Sequence, residues 1–178
     1  LSVVTAGSGS GSKNFTVGVS PTRASVLAND SYSATARYTT TVTAQNGLTG
    51  QVDFTVEWLS GPPNNSSVYW DGTCSTDGAI SCDGAEGEYD TECGAGGTCQ
   101  TDEKPYVIFA PGELLKKKHF SIAVQVDTLP GDYTFRLKGT HATEGSVTYP
   151  AGSDVLTLTV TTGPPPDFTI LAPPPEPT

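Results

Sequence analysis

Gln51-Val52-Asp53-Phe54-Thr55-Val56-Glu57-Trp58 alternates apolar and polar side chains throughout. Period-two alternation puts Val52, Phe54, Val56 and Trp58 on one face of an extended strand and Gln51, Asp53, Thr55 and Glu57 on the other. A helix, with 3.6 residues per turn, would scatter the same side chains around its circumference. The stretch therefore predicts a half-buried β-strand.

The same test decides its neighbours. Residues 119–127 turn Phe120, Ile122, Val124 and Val126 inward, and residues 132–138 turn Tyr133, Phe135 and Leu137 inward with Thr134, Arg136 and Lys138 outward. Residues 153–161 set Leu156, Leu158 and Val160 on one face, and Thr-rich residues 33–44 have Tyr38 and Val42 as inward anchors. Residues 14–20, 25–28 and 106–110 are shorter candidates. Asn46-Gly47 and Leu129-Pro130-Gly131-Asp132 supply turns, because Gly and Asn accept positive φ and Pro presets φ. Residues 113–118 could form one helical turn at most. The expected class is all-β, an antiparallel sandwich of about 7–8 strands.

Composition narrows the partners. The 178 residues carry 9 Lys+Arg against 19 Asp+Glu, for a net charge of −10. A nucleic-acid binder needs clustered cations to neutralise phosphates, so that class is excluded. No run of about 18 apolar residues predicts a membrane span. The chain begins at Leu1 and contains no Met, and the reading is secretion through a removed signal peptide, to an extracellular or cell-surface location.

Cys74, Cys82, Cys93 and Cys99 lie in a Gly-rich stretch, and their even number reads as two disulfides formed in an oxidising compartment. Three pairings exist; short loops favour Cys74–Cys82 with Cys93–Cys99, and the nested pairing stays open. The surrounding insertion, residues 60–105, holds nine acidic residues between Asp71 and Glu103. Asp71, Asp77 and Asp83 are hard oxygen donors of the kind Ca²⁺ takes and are weak candidates for it; their spacing does not match an EF-hand loop, and a solvated acidic loop is the preferred reading. No cofactor is otherwise expected. Tyr69, Trp70 and Tyr89 are candidate stacking aromatics for a glycan, or simply packed under the loop. Four of the five asparagines, Asn14, Asn29, Asn64 and Asn65, open N-x-[ST] glycosylation sequons.

Asn14-Phe15-Thr16-Val17, Ser20-Pro21, residues 38–44 with Asn46-Gly47-Leu48-Thr49-Gly50, Phe109-Ala110-Pro111 and Pro130-Gly131-Asp132-Tyr133 together resemble an immunoglobulin-like domain family of bacterial and archaeal secreted and surface proteins. The resemblance implies an immunoglobulin-like sandwich over residues 14–162, with the disulfide-rich insertion as a decoration. It also implies that Tyr133 is a corner tyrosine.

Both ends depart from a plain sandwich. Residues 1–13 join a β-prone run, with Leu1, Val3 and Val4, to a flexible Gly/Ser linker. Residues 163–178 hold Asp167-Phe168-Thr169-Ile170 between polyproline pieces, an echo of Asn14-Phe15-Thr16-Val17. A tethered apolar strand can add to a neighbour's sheet, and Leu1, Val3, Val4, Phe168 and Ile170 are the candidate assembly residues. Leu1 and its neighbours could equally be the first edge strand of their own sandwich.

The two histidines are His119, expected on a wet face beside Lys116, Lys117 and Lys118, and His141. No nucleophile motif or C-x₂-C zinc pattern accompanies them. The expected function is therefore non-enzymatic: a subunit of a surface filament or pilus that self-associates head to tail by strand donation. The alternative is a tandem-repeat binding module of an adhesin or of a secreted glycan-active enzyme.

Overall fold

A computed structural model describes residues 14–28, 34–74, 81–82, 96–100 and 104–163. They form β1 (Phe15–Ser20), β2 (Arg23–Ala28), β3 (Ala34–Ala44), β4 (Gly50–Trp58), β5 (Ser66–Cys74), β6 (Ser81–Cys82), β7 (Cys99–Gln100), β8 (Tyr106–Phe109), β9 (Leu115–Val124), β10 (Gly131–His141), β11 (Gly145–Tyr149) and β12 (Leu156–Thr162). One sheet runs β1-β3-β9-β5, with the two-residue β6 and β7 both pairing with the end of β5. The other runs β2-β12-β10-β4-β8, and β11 pairs with the second half of β10. Every pairing is antiparallel except that of β2 with β12.

The strand faces follow the alternation. Val52 and Phe54 on β4, Tyr38 and Val42 on β3, Phe135 and Leu137 on β10 and Leu156, Leu158 and Val160 on β12 are all buried in one shared core. Aromatic rings tie the two sheets together. Tyr38 stacks on Phe120 at 5.0 Å and meets Phe135 edge-on at 5.5 Å. Trp58 tilts against Phe135 at 5.2 Å. Trp70 packs on Phe120 at 5.3 Å and stacks on Phe54 at 5.5 Å. Offset and edge-to-face geometries of this kind suit the ring quadrupoles.

Several expectations need correction. The described residues hold twelve strands, more than the expected number. Ser66–Asp71, read from sequence as part of a loop insertion, pairs along β9 from Val124 to His119. Trp70 is consequently half-buried and packed against the core, the second of its two expected roles, although a strand rather than a loop carries it. β9 begins at Leu115, so residues 113–118 contain no helical turn, and it ends at Val124, which leaves Val126 exposed. β10 and β11 form a hairpin through residues 139–149, a segment whose Gly139 and Gly145 interrupt the apolar alternation.

Gly139 has a packing reason. A Cβ there would lie 2.8 Å from Val17 Cγ2 and 3.3 Å from both Phe15 Cε2 and Val52 Cγ1. The glycine lets β1 close against β10 across the core.

The two flanks of the sandwich differ. On one, the chain leaves β1, passes the cis Ser20–Pro21 peptide and enters β2 in the opposite sheet. There β1 lies beside β11 and β2 beside β3, which closes the gap between the sheets. On the other flank, β8 lies beside β9 of the opposite sheet; it is bonded only to β4 among the described residues, and its Ile108 is 54% exposed.

Candidate functional site

The densest set of chemically capable side chains lies on the outer face of the first sheet, where β3, β9 and β5 run side by side. The register places His119 directly between Thr39 of β3 and Asp71 of β5. The Thr39 hydroxyl lies 3.0 Å from His119 Nδ1, and Ser121 Oγ donates to Asp71 Oδ2 at 2.5 Å. His119 is only 4% exposed and Ser121 is also buried.

This corrects the expectation of a wet basic patch. His119 does sit opposite Phe120 on the strand, but β9 is central and has neighbours on both sides that shield it. Lys118 shares the face of Phe120 and lies opposite the fully buried Thr40, so it too is buried. Lys116 forms an ion pair with Glu113 at 2.6 Å. That hydrogen bond, helped by one from the Ala110 amide, holds the Glu113 carboxyl below its usual range.

Ser, His and Asp are all present, yet the hydrogen bonds Thr39–His119 and Ser121–Asp71 do not follow a hydrolytic triad. Such a triad runs from hydroxyl to imidazole to carboxylate. Here the serine hydroxyl is bonded to the carboxylate and the imidazole nitrogen Nδ1 is bonded to threonine. The arrangement joins three strands through polar side chains on a sheet face. Sequence alone missed it because the bonds join residues 50 and 80 positions apart.

His141 is likewise built into the fold. Its Nδ1 faces the amides of Thr143 and Glu144 at 3.4 and 3.3 Å, and its Nε2 lies 3.0 Å from the Thr49 carbonyl. Amide donors on one nitrogen and a carbonyl acceptor at the other fix the tautomer with the proton on Nε2. The ring thereby links the β10–β11 hairpin to the loop before β4.

The remaining candidates are placed as follows. Asp71, proposed as an oxygen donor for Ca²⁺, is committed to Ser121, and among the described residues no three His, Cys, Asp or Glu groups gather to hold an ion. Tyr69 is exposed on the outer face of β5. Asn64 and Asn65 sit in the turn before β5 and contact residues 127–129. An open groove of about 460 Å³ beside them is lined by Asn65, Ser66, Ser67, Gln125, Val126 and Asp127, and lacks the apolar walls of a small-molecule pocket. Asn14 precedes β1 and accepts from Asn46 Nδ2 at 3.0 Å. The backbone register sets Cys74 opposite Cys99, and Gly72 opposite Cys82. Leu1, Val3, Val4, Asn29, Asp77, Asp83, Tyr89, Cys93, Phe168 and Ile170 lie outside the described residues.

No family model matches the chain, and no curated protein does. Among solved structures it is similar to a FixG-related protein from Vibrio parahaemolyticus, with 14% identity, a TM-score of 0.43, and coverage of 83% of this chain and 96% of that one. It is also similar to a family 123 glycoside hydrolase from Clostridium perfringens, with 9% identity and a TM-score of 0.48 over 84% of this chain and 27% of the other. A third is CfaE, the adhesive subunit of CFA/I fimbria of enterotoxigenic Escherichia coli, with 9% identity and a TM-score of 0.31 over 86% and 50% of the two chains. TM-scores this low carry no functional weight.

Proposed function

We propose that the chain is a non-enzymatic, immunoglobulin-like module of an extracellular surface filament, joined to its neighbours when a terminal strand of one copy adds to the β8 edge of the next. The topology supports the fold assignment. The order β1-β3-β9-β5 corresponds to strands A-B-E-D of an immunoglobulin sandwich, and β4-β10-β12 to C-F-G. Tyr133, near the start of the F position, donates its hydroxyl to the Leu129 carbonyl at 2.8 Å, as a corner tyrosine does. One departure stands out. β8, beside the C strand, follows β5 in sequence, whereas an immunoglobulin variable-type chain adds its C′ strand there before making its D strand.

The observation that carries the role is β8 itself, an edge strand with one bonded neighbour among the described residues and an exposed Ile108. An edge strand with one neighbour exposes a row of unmade N–H and C=O bonds, a template for another strand. The sequence supplies two tethered apolar candidates, residues 1–5 and 167–171. A donated strand extends the sheet by backbone pairing, with Ile108 available as an apolar contact on β8. Repeated head to tail, this contact gives an open fibre.

Deleting residues 1–5, residues 167–171, and both, then examining concentrated samples by electron microscopy, tests the reading. Filaments from the full chain that disappear in one single deletion support it. Filaments from the double deletion contradict it.

A further inference from the structure

The described sequons differ in what their asparagines do. We propose that Asn14 is the acceptor of an N-linked glycan, whereas Asn64 and Asn65 are clamps of the residue 127–129 turn and remain unmodified. The proposal rests on the extracellular reading above.

Transfer joins the carboxamide nitrogen to the anomeric carbon of a lipid-phosphate-linked sugar. The anomeric C–O bond breaks, the phosphate leaves with the bonding pair, and the nitrogen gives up one proton to a base. The product is a secondary amide that keeps its oxygen and one N–H. In the preferred trans form the sugar stands on the same side as that oxygen.

At Asn64 that side is taken. Asn64 Oδ1 accepts from the Leu129 amide at 3.0 Å, and Nδ2 donates to the Asp127 carbonyl at 3.0 Å. An amide that engages a donor and an acceptor along one edge uses the hydrogen next to its own oxygen, which is the position a sugar would occupy. The Asn64 carbonyl also receives the Thr128 hydroxyl at 3.0 Å, and the sequon hydroxyl of Ser66 is spent on the Pro63 carbonyl at 2.7 Å. At Asn65 the acceptor nitrogen is held between both carboxylate oxygens of Asp127, at 2.9 and 2.8 Å.

Asn14 is different. Its Oδ1 accepts from Asn46 and its backbone carbonyl accepts from the Gln45 amide at 2.7 Å, while its Nδ2 makes no hydrogen bond to a described residue. Glycosylation at Nδ2 consumes neither of those two acceptor oxygens.

The full chain, with Asn29→Gln, is to be secreted from a eukaryotic host that supplies the lipid-linked donor, and its glycopeptides mapped by mass spectrometry. Asn14 is expected to be occupied, Asn64 and Asn65 empty, and Asn14→Gln to abolish the glycan. A sugar on Asn64 or Asn65 in folded protein, or an empty Asn14, overturns the inference, and neither outcome bears on filament formation. A second measurement uses unglycosylated protein. Asn64→Ala should lower the melting temperature by roughly 3–8 °C and Asn14→Gln by less than about 2 °C. Equal melting temperatures for Asn64→Ala and the parent would overturn the clamp.

Discussion

Tyr38 on β3 and Phe135 on β10 meet edge to face across the core, with ring centroids 5.5 Å apart and an interplanar angle of 88°. Phe135 lies two residues after Tyr133, whose hydroxyl donates to the Leu129 carbonyl. The aromatic pair joins the two sheets, and Trp58 of β4 packs on Phe135. Replacing Phe135 by Ala should therefore destabilise the fold by about 3–5 kcal/mol, measured by chemical denaturation.

Tyr38 contributes its ring and little else. Its hydroxyl is buried with no hydrogen-bond partner among the described residues, and burial pushes the phenol well above its usual range. Tyr38→Phe should therefore be neutral or stabilising by about 1 kcal/mol, since it removes an unsatisfied polar group. The pH dependence has a definite sign. With the folded pKa raised, Tyr38 leaves stability intact below the ordinary phenol value of about 10, and stability falls above it because unfolded chains ionise first. Tyr38→Phe should flatten that alkaline decline in a series of melts. A marked loss of stability on this substitution would show that the hydroxyl is satisfied.

Gly139 tests the closure of β1 on β10. Gly139→Ala forces a methyl group into Val17, Phe15 and Val52. It should cost about 1–3 kcal/mol by overpacking, although alanine is otherwise easily housed in a strand. Val17→Ala in the same background should recover part of the loss, and additive losses would contradict this account.

Much of the sandwich was legible because alternation survives wherever one face is buried and the other solvated. Residues 51–58 and 132–138 carry it plainly. β5 was not legible: Val68, Trp70 and Gly72 do alternate with Tyr69 and Asp71, but two asparagines, two serines and a glycine-rich sequel surround them. Outward Tyr69 adds a ring where a polar residue would be expected, and only pairing with β9 reveals the strand. The cluster of Thr39, Asp71, His119 and Ser121 was hidden for another reason, since long-range register is not written in local spacing. The burial of His119 likewise depends on β9 being central to its sheet.

Register also bears on the cysteines. Residues directly opposite in an antiparallel pair have Cα atoms about 4.5–5.5 Å apart, within disulfide range. Cys74 and Cys99 are such a pair. Non-reducing peptide mapping should recover a Cys74–Cys99 peptide, in place of the short-loop Cys74–Cys82 pairing favoured by sequence. A Cys74–Cys82 peptide would show that the β5–β7 register does not hold.

Assembly through the open edge is tested most directly by amide hydrogen exchange across β8. The full chain should gain protection in Tyr106–Phe109 as its concentration is raised into the assembled range, and protein lacking residues 1–5 and 167–171 should show no gain. Filaments that form while Tyr106–Phe109 exchanges as fast as in the monomer would contradict strand addition at this edge.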